Sequence, residues 1–281
     1  MESNKKYKIV ASDLDGTLLG KDQKVSCENL EAIGAMRRLG VEFVPATGRS
    51  LGEIPHEIMN SSDIRYIITS DGAAVWDKSL GKNIIKNYVP ADVVRFVVDT
   101  VNKYTSCILV HENGKTYYDT EKHKADIFGI CHIDDYFRSI IETRTYPKAS
   151  HYDFMMKSDA IEMFCIFFEN LDALNECRRI FIESGKLSVA QSAPYNLEIC
   201  FSGAGKGNAL KALADIIGVD ISDTIAVGDS TNDTAIIKVA GLGLAMENAC
   251  ADLKAIADKV ICNNSEHSAK YILDNFIADK Y

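Results

Sequence analysis

The fold-determining stretch of the chain is KIVASDLDGT, which occupies positions 8–17. Its first half, Lys8–Ser12, is a short apolar run typical of a buried strand, and two carboxylates and a glycine turn follow directly. A helical pattern at Ser26–Leu39 has apolar residues every three to four positions, and further strand-like runs lie at Val41–Pro45 and Tyr66–Thr69. Strands that alternate with helices predict an α/β core built on a parallel sheet.

The middle of the chain has a different pattern. A hairpin signal at Asn113-Gly114 lies between two short strand-like segments, and a strand and a helix are predicted within 161–183. Alternation of helix and strand resumes in the last third. We therefore expect a Rossmann-like parallel-sheet core formed by residues 1–82 and 196–281, with an inserted α+β domain at residues 83–195.

The composition excludes several classes of protein. The 281 residues are 47% hydrophobic and 25% charged, which is typical of a globular chain rather than a disordered or fibrous one. The net charge of -9 disfavours nucleic acid as a partner, and no apolar run approaches the roughly 20 residues of a membrane span. The polar N-terminus lacks the apolar stretch of a signal peptide, and the eight cysteines form no Cys-x-x-Cys pair. We expect a cytoplasmic protein with reduced thiols.

Polar clusters follow four of the predicted strands. Asp13–Thr17 follows the first strand, Ala46–Arg49 the second and Ser70–Gly72 the third. The cluster Gly228–Asp233 follows a later strand at Thr224–Val227. Because ligands bind beyond the carboxyl ends of strands in open parallel sheets, we expect these clusters to converge on one site.

The converging carboxylates point to a metal and to phosphate chemistry. Asp13, Asp15, Asp229 and Asp233 would repel one another unless a cation neutralises them. Oxygen-only ligands with open positions suit Mg²⁺, which shares its coordination shell with substrate phosphates. A carboxylate on the metal can then attack phosphorus, and a second carboxylate two residues later can protonate the leaving oxygen.

Two further segments supply groups that bind phosphate. Thr47 and Gly48 offer a hydroxyl and unhindered backbone N–H groups. Lys206 begins a predicted helix after Gly203-Ala204-Gly205, and its ammonium would balance the charge of a phosphoryl group. A P-loop is excluded because Cys200 occupies the position of the required first glycine and Gly207 replaces the Ser or Thr.

Together these motifs resemble the haloacid dehalogenase superfamily phosphatases of the Cof-type subgroup, in which a large cap is inserted between the second and third motifs. The resemblance covers nearly the whole chain and rests on four motifs in order, at 13–17, 47–49, 206–210 and 228–233. It implies a Mg²⁺-dependent phosphatase for small phosphomonoesters, such as sugar phosphates or phosphorylated cofactors. It also implies a cap that excludes water and selects the leaving group.

The resemblance also implies a role for each site residue. Asp13 would be the nucleophile that forms an aspartyl-phosphate, and Asp15 the general acid and then the base that activates water. Thr47 and Lys206 would hold the phosphoryl group. Asp229 would ligate Mg²⁺ together with the Asp13 side chain and the Asp15 backbone carbonyl. Asp233 would support the metal site or pair with Lys206. Asn232 would contact the phosphate or Lys206.

Two segments depart from the subgroup's pattern. The third strand ends in Asp71-Gly72, where the subgroup more often has Asn-Gly, and this adds a charge near the site. The chain after Asn263 continues with Ser265-Glu266-His267, where relatives usually have a glycine turn.

Other interpretations stay open at this point. Asp13–Gly16 can also be a surface turn, and Asp233 can be a helix cap. The same aspartyl-phosphate chemistry would serve a phosphomutase that returns the phosphoryl group to another hydroxyl. A phosphate-sensing module without catalysis is a third possibility, although it would not need an acid two residues after the nucleophile.

Overall fold

The computed structural model describes residues 7–120 and 126–278. Its strands are β1 (Ile9–Ser12), β2 (Glu42–Pro45), β3 (Tyr66–Thr69), β4 (Ala74–Asp77), β5 (Lys82–Lys86), β6 (Ser106–Glu112), β7 (Lys115–Asp119), β8 (Tyr146–Lys148), β9 (Ile161–Phe168), β10 (Leu187–Ala190), β11 (Asn196–Phe201), β12 (Thr224–Gly228), β13 (Leu242–Ala245) and β14 (Lys259–Val260). Its helices are α1 (Cys27–Arg38), α2 (His56–Asn60), α3 (Ala91–Val101), α4 (Ile127–Ile130), α5 (Asp135–Arg144), α6 (His151–Lys157), α7 (Leu171–Glu183), α8 (Lys206–Ile217), α9 (Thr234–Val239), α10 (Ala251–Ile256) and α11 (Ser268–Ile272).

The chain divides into two compact units. The core unit contains the described residues up to Gly48, residues 54–85 and those from Gly205 onward. The inserted unit contains residues 49–53 and the described residues of 86–204. Each unit is built on its own β-sheet structure.

The core unit is built on a five-stranded parallel sheet with the order β14-β13-β12-β1-β2. All four residues of β1 are buried, although successive side chains of a strand point to opposite faces. Both faces of the sheet are therefore covered, as expected for a parallel sheet flanked by helices. The predicted α/β core with a parallel sheet is confirmed.

The third predicted strand is placed differently from the expectation. Tyr66–Thr69 pairs antiparallel with β4 in a separate sheet of order β3-β4-β5. A single parallel bridge between Ala46 and Ile68 joins β3 to β2. The prediction that Tyr66–Thr69 is a strand of the parallel sheet was therefore wrong, apart from this bridge. The reason is the tight turn Ser70–Gly72, whose three residues all have positive φ and which reverses the chain into β4.

The inserted unit is an α+β module around a six-stranded sheet with the order β10-β11-β9-β6-β7-β8. Neighbouring strands pair antiparallel except β7 and β8, which pair parallel. All eight residues of β9 are buried. One face of the sheet packs with α3 and α7 around an apolar core that includes Val97, Phe164 and Phe181. The hairpin predicted at Asn113-Gly114 joins β6 to β7, and both turn residues have positive φ.

The boundaries of the two units differ from the predicted ones. Asn196–Phe201 was assigned to the core, but it pairs with β9 and β10 inside the inserted unit. Residues 49–53 also belong to the inserted unit, because the Ser50 hydroxyl contacts the Thr116 hydroxyl at 3.0 Å and the Gly52 N–H donates to the Gly114 carbonyl. These are pairings between distant segments, which local sequence patterns do not report.

All eight cysteines are free thiols, and five of them are buried. Within residues 7–120 and 126–278, every helix is too short or too polar to cross a lipid bilayer.

Candidate active site

The acidic cluster lies at the carboxyl ends of two neighbouring strands. Asp13 follows β1 and Asp229 follows β12, and these strands pair in parallel register. The backbone N–H of Asp13 donates to the Val227 carbonyl at 3.0 Å. Carboxylate oxygens of Asp13, Asp229 and Asp233 all lie within 4.8 Å of one another. The predicted convergence of the strand ends is therefore confirmed for these three residues.

Lys206 is the buried cation among these carboxylates. Its Nζ lies 2.7 Å from Asp13 Oδ1, 2.7 Å from Asp233 Oδ1 and 3.9 Å from Asp71 Oδ1. Its side chain has no exposed surface. Lys206 is the first residue of α8, so the start of this helix fixes where the ammonium lies.

Two glycines allow the loops around Lys206 to approach each other. A Cβ on Gly72 would lie 2.4 Å from the Gly205 carbonyl group and 2.8 Å from the Lys206 backbone nitrogen. Gly72 and Gly205 both have positive φ, which residues with a side chain adopt less easily. The turn after β3 can therefore lie directly against the beginning of α8.

Asp233 has both of the functions that the sequence left open. Its Oδ1 forms the ion pair with Lys206. Its Oδ2 accepts hydrogen bonds from the backbone N–H groups of Asp229 and Ser230 at 3.0 and 3.2 Å. The second set of bonds closes the turn that begins the segment before α9. Asp233 thus holds Lys206 and the Asp229 backbone in one arrangement.

Asp229 is oriented by the loop after β1. The Thr17 hydroxyl donates to Asp229 Oδ1 at 3.2 Å. Gly16 has φ +77°, and a Cβ there would lie 2.4 Å from Asp229 Oδ2. The amide of Asn248 donates to the Gly16 carbonyl at 2.8 Å and holds this loop. Thr17 belongs to the first of the predicted polar clusters, but no individual role was predicted for it or for Asn248.

The residues predicted to bind phosphate surround Asp71. The Asp71 N–H donates to the Thr47 carbonyl at 3.0 Å, and the Asn232 amide donates to Asp71 Oδ1 at 3.4 Å. A Cβ on Gly48 would lie 3.3 Å from Asp71 Oδ1. Thr47, Gly48 and Asn232 therefore lie in the same region as Lys206, and Asp71 is an additional member of this group. Asp15 is half-buried in the loop after β1.

Burial and mutual repulsion shift the pKa values of the cluster. Burial raises the pKa of Asp13 well above its usual value; the Lys206 ammonium opposes this shift, and Asp233, Asp15 and Asp229 reinforce it. Burial and the neighbouring Asp233 raise the pKa of Asp229 to about 6. Burial alone would lower the pKa of Lys206, but Asp13 and Asp233 outweigh it and raise that pKa. The cluster thus carries more negative charge than Lys206 neutralises.

These observations fit a divalent cation held by Asp13 and Asp229. The donors are carboxylate oxygens, which Mg²⁺ prefers. Burial raises the pKa values of both carboxyl groups and repulsion from neighbouring carboxylates adds to this, so a cation between them would relieve that repulsion. Both oxygens of Asp233 already accept other bonds, so Asp233 fits a supporting position better than a ligand position.

The second departure noted in the sequence is a compact turn. Asn263 caps the turn Asn264–Glu266 by accepting from Ser265 N–H, and His267 then takes the left-handed conformation with φ 61°. The Asn264 amide donates to the Leu19 carbonyl at 3.0 Å. His267 therefore fills the position where a glycine would be conformationally easier, and the turn still holds the loop after β1.

Comparison with known proteins gives the same family for the whole chain. The sequence profile of the haloacid dehalogenase-like hydrolases matches residues 10–273. The phosphatase YwpJ of Bacillus subtilis (strain 168) is 29% identical over 289 residues, which cover 96% of this chain and 100% of the relative. The 5-amino-6-(5-phospho-D-ribitylamino)uracil phosphatase YwtE of the same strain is 28% identical and covers 98% of this chain and 99% of its own length.

The fold of this chain is also found among solved structures. A haloacid dehalogenase-like hydrolase from B. subtilis superposes with a TM-score of 0.82 at 26% sequence identity. The superposition covers 96% of this chain and 100% of the other. The similarity therefore extends over nearly the whole length of both chains and is not limited to one domain.

Proposed function

Because the chain belongs to the haloacid dehalogenase-like hydrolases, we propose that it is a Mg²⁺-dependent phosphatase of small phosphorylated metabolites that works through an aspartyl-phosphate. The observation that carries the proposal is the buried ion-pair group of Asp13, Lys206 and Asp233 beside Asp229. Relatives that match over nearly their full length are phosphatases, and one acts on a phosphorylated ribitylaminouracil.

Asp13 is the nucleophile in this proposal. A carboxylate oxygen of Asp13 attacks phosphorus, the bond from phosphorus to the ester oxygen breaks, and the phosphoryl group is transferred to Asp13. The ion pair with Lys206 at 2.7 Å favours the ionised form of Asp13 that this attack requires. Lys206 also faces the transferred group and offsets its charge, together with the Thr47 hydroxyl and the Gly48 N–H.

Asp15 is the general acid and the general base in this proposal. It protonates the leaving oxygen in the first step and then removes a proton from the water that hydrolyses the aspartyl-phosphate. Its position two residues after Asp13, on a loop that Asn248 holds through Gly16, keeps it beside the reacting carboxylate. Asp15 also has an electrostatic effect on Asp13, consistent with this proximity.

Asp13, Asp229 and the Asp15 backbone carbonyl would hold Mg²⁺. The ion supplies charge neutralisation between the carboxylate nucleophile and the phosphoryl oxygens. Thr17 orients Asp229, and Asp233 fixes the Asp229 backbone. The inserted unit would select the leaving group and exclude water from the reaction.

The test measures phosphate release from an aryl phosphate and a panel of phosphorylated metabolites. We expect release that requires Mg²⁺, stops with chelator and falls at least about 10³-fold in Asp13→Asn. Asp252→Asn is the control, because Asp252 is exposed and this substitution removes the same charge as Asp13→Asn. Phosphate release by Asp13→Asn at the wild-type rate would refute the proposal. An isomeric phosphate product without free phosphate would identify a phosphomutase, and phosphate binding without turnover a sensing module.

A further inference from the structure

Asp71 is a buried carboxylate on a strained turn of the core unit. Ser70 and Asp71 have φ values of 48° and 49°, and Gly72 follows with 89°. Left-handed conformations of residues other than glycine cost free energy and occur often at functional sites. Asp71 is only 7% exposed, so the strained turn places a charged group where water has little access.

The two oxygens of this carboxylate have different surroundings. Asp71 Oδ1 lies 3.9 Å from Lys206 Nζ and accepts a long hydrogen bond of 3.4 Å from the Asn232 amide. Asp71 Oδ2 is buried and has no hydrogen-bond partner among the described residues. A buried carboxylate oxygen without a donor is unfavourable, so neither oxygen compensates fully for the cost of burying the charge.

The position of Asp71 affects the charge that a phosphate meets. Lys206 already forms close ion pairs with Asp13 and Asp233. Asp71 Oδ1 lies 3.9 Å from the same ammonium group, which is too far for a hydrogen bond. A phosphate that binds at Lys206 therefore meets an additional negative charge within the same buried region. Like charges repel more strongly in a region of low dielectric constant than in water.

We propose that Asp71 weakens the binding of the phosphate dianion in this site and thereby speeds the release of inorganic phosphate after each turnover. The inference rests on the proposed function. The repulsion acts on the phosphoryl group of the substrate and on free phosphate alike, so it weakens both interactions together. Asp71 is thus a residue that sets product affinity, while the chemical step belongs to Asp13 and Asp15.

The test compares wild type with Asp71→Asn, which keeps the shape of the side chain and removes its charge. Asparagine also tolerates the left-handed conformation well. We expect the inhibition constant of inorganic phosphate to fall about tenfold, and the KM of a phosphomonoester to fall with it. Calorimetric titration with inorganic phosphate in the presence of Mg²⁺ should show the same tighter binding without turnover.

Two variants control for folding and for net charge. Asp71→Gly also removes the carboxylate and suits positive φ, so it should tighten phosphate binding in the same direction. Asp252→Asn removes one charge at an exposed position and should leave phosphate binding unchanged. Thermal unfolding of each variant shows that the folded protein was measured.

The possible results separate this inference from the proposed function. If wild type releases phosphate but both Asp71 variants bind it within twofold of wild type, the role of Asp71 is refuted. Weaker phosphate binding in Asp71→Asn would also overturn it, because the Asp71 carboxylate would then favour phosphate binding, for example by accepting a hydrogen bond from the phosphate hydroxyl group. A wild-type protein that neither hydrolyses phosphomonoesters nor binds phosphate would refute the proposed function itself, and the inference with it.

Discussion

At the scale of single residues, Lys206 is a buried cation that holds three carboxylates together. Asp13, Asp71 and Asp233 lie within 3.9 Å of its Nζ, and its side chain has no exposed surface. Removing one partner of a buried ion pair leaves an uncompensated charge, which costs far more than the loss of a surface pair. Lys206 therefore contributes to folding as well as to the proposed chemistry.

Lys206→Met should lower the free energy of unfolding by about 3–5 kcal/mol at pH 7, because buried carboxylates lose their cation. Urea denaturation followed by circular dichroism measures this change. The control is Lys270→Met, which removes an exposed helix pair with Asp274 and should cost less than about 0.5 kcal/mol. Equal losses in the two variants would show that the buried group does not depend on Lys206.

At the scale of elements, an ion pair holds the ends of the β3–β4 hairpin. The Arg65 guanidinium donates to both carboxylate oxygens of Asp77 at 3.2 and 2.9 Å, and Ser79 donates to the same carboxylate. Burial would raise the pKa of Asp77, but the hydrogen bonds from Arg65 and Ser79 outweigh it and lower the pKa to about 2. The turn that carries Asp71 joins the other ends of these two strands.

Arg65→Gln should destabilise the protein by about 1–2 kcal/mol at pH 7. Because the folded pKa of Asp77 lies below its ordinary value of 3.8, its ionised form stabilises the protein above pH 4, and this contribution disappears as pH falls towards 2. Urea midpoints of wild type and variant should therefore converge as the pH is lowered from about 4 to about 2. Arg179→Gln, at an exposed site on α7, is the control and should have little effect at either pH. A difference independent of pH would contradict the assignment.

The elements also show what the sequence could predict. The strand and the helix predicted within 161–183 are β9 and α7, and α8 begins at Lys206 as predicted, because each of these elements is a continuous run with one clear periodicity. β4 and β5 were missed, since they are short and depend on pairing within the three-stranded sheet β3-β4-β5. No helix or strand was predicted at Tyr146–Lys157, but this region contains β8 and α6. Aromatic contacts with Tyr117 of β7, such as that of Phe154 at 4.9 Å, hold these elements in place.

The candidate site, like the secondary structure, was predictable only in part. Asp13, Asp229 and Asp233 follow strand ends, so the topology of a parallel sheet was enough to bring them together. Asp71 was predicted to lie near the site, but its distance of 3.9 Å from Lys206 and the hydrogen bond from Thr17 to Asp229 depend on turns with positive φ and on close approach at glycines. Such contacts follow from tertiary packing and leave only a weak signal in the sequence.

At the scale of the whole molecule, the acidic cluster links metal binding to stability. Burial and Asp233 raise the pKa of Asp229 from 3.8 to about 6. A carboxyl group with a raised folded pKa stabilises the fold below its unfolded pKa and loses that contribution as pH rises through about 6. The difference corresponds to about 3 kcal/mol at pH 7 without a cation.

Mg²⁺ should therefore stabilise the protein more at pH 7.5 than at pH 5, because protons compete with the metal for the same carboxylates. Thermal unfolding with and without Mg²⁺ at both pH values measures the difference in Tm. Asp229→Asn should lose most of the Mg²⁺-induced shift, while Asp252→Asn should keep it. An equal shift at both pH values, or a full shift in Asp229→Asn, would place the metal elsewhere.

The most direct test of the account is to find the phosphoryl group on the enzyme. Asp15→Asn should slow hydrolysis of the aspartyl-phosphate more than its formation for a substrate with a good leaving group such as an aryl phosphate. After acid quench in the presence of Mg²⁺ and that substrate, mass spectrometry should find one added phosphoryl group on the peptide that contains Asp13. Steady phosphate release with the phosphoryl group on another residue, or on none, would contradict the account.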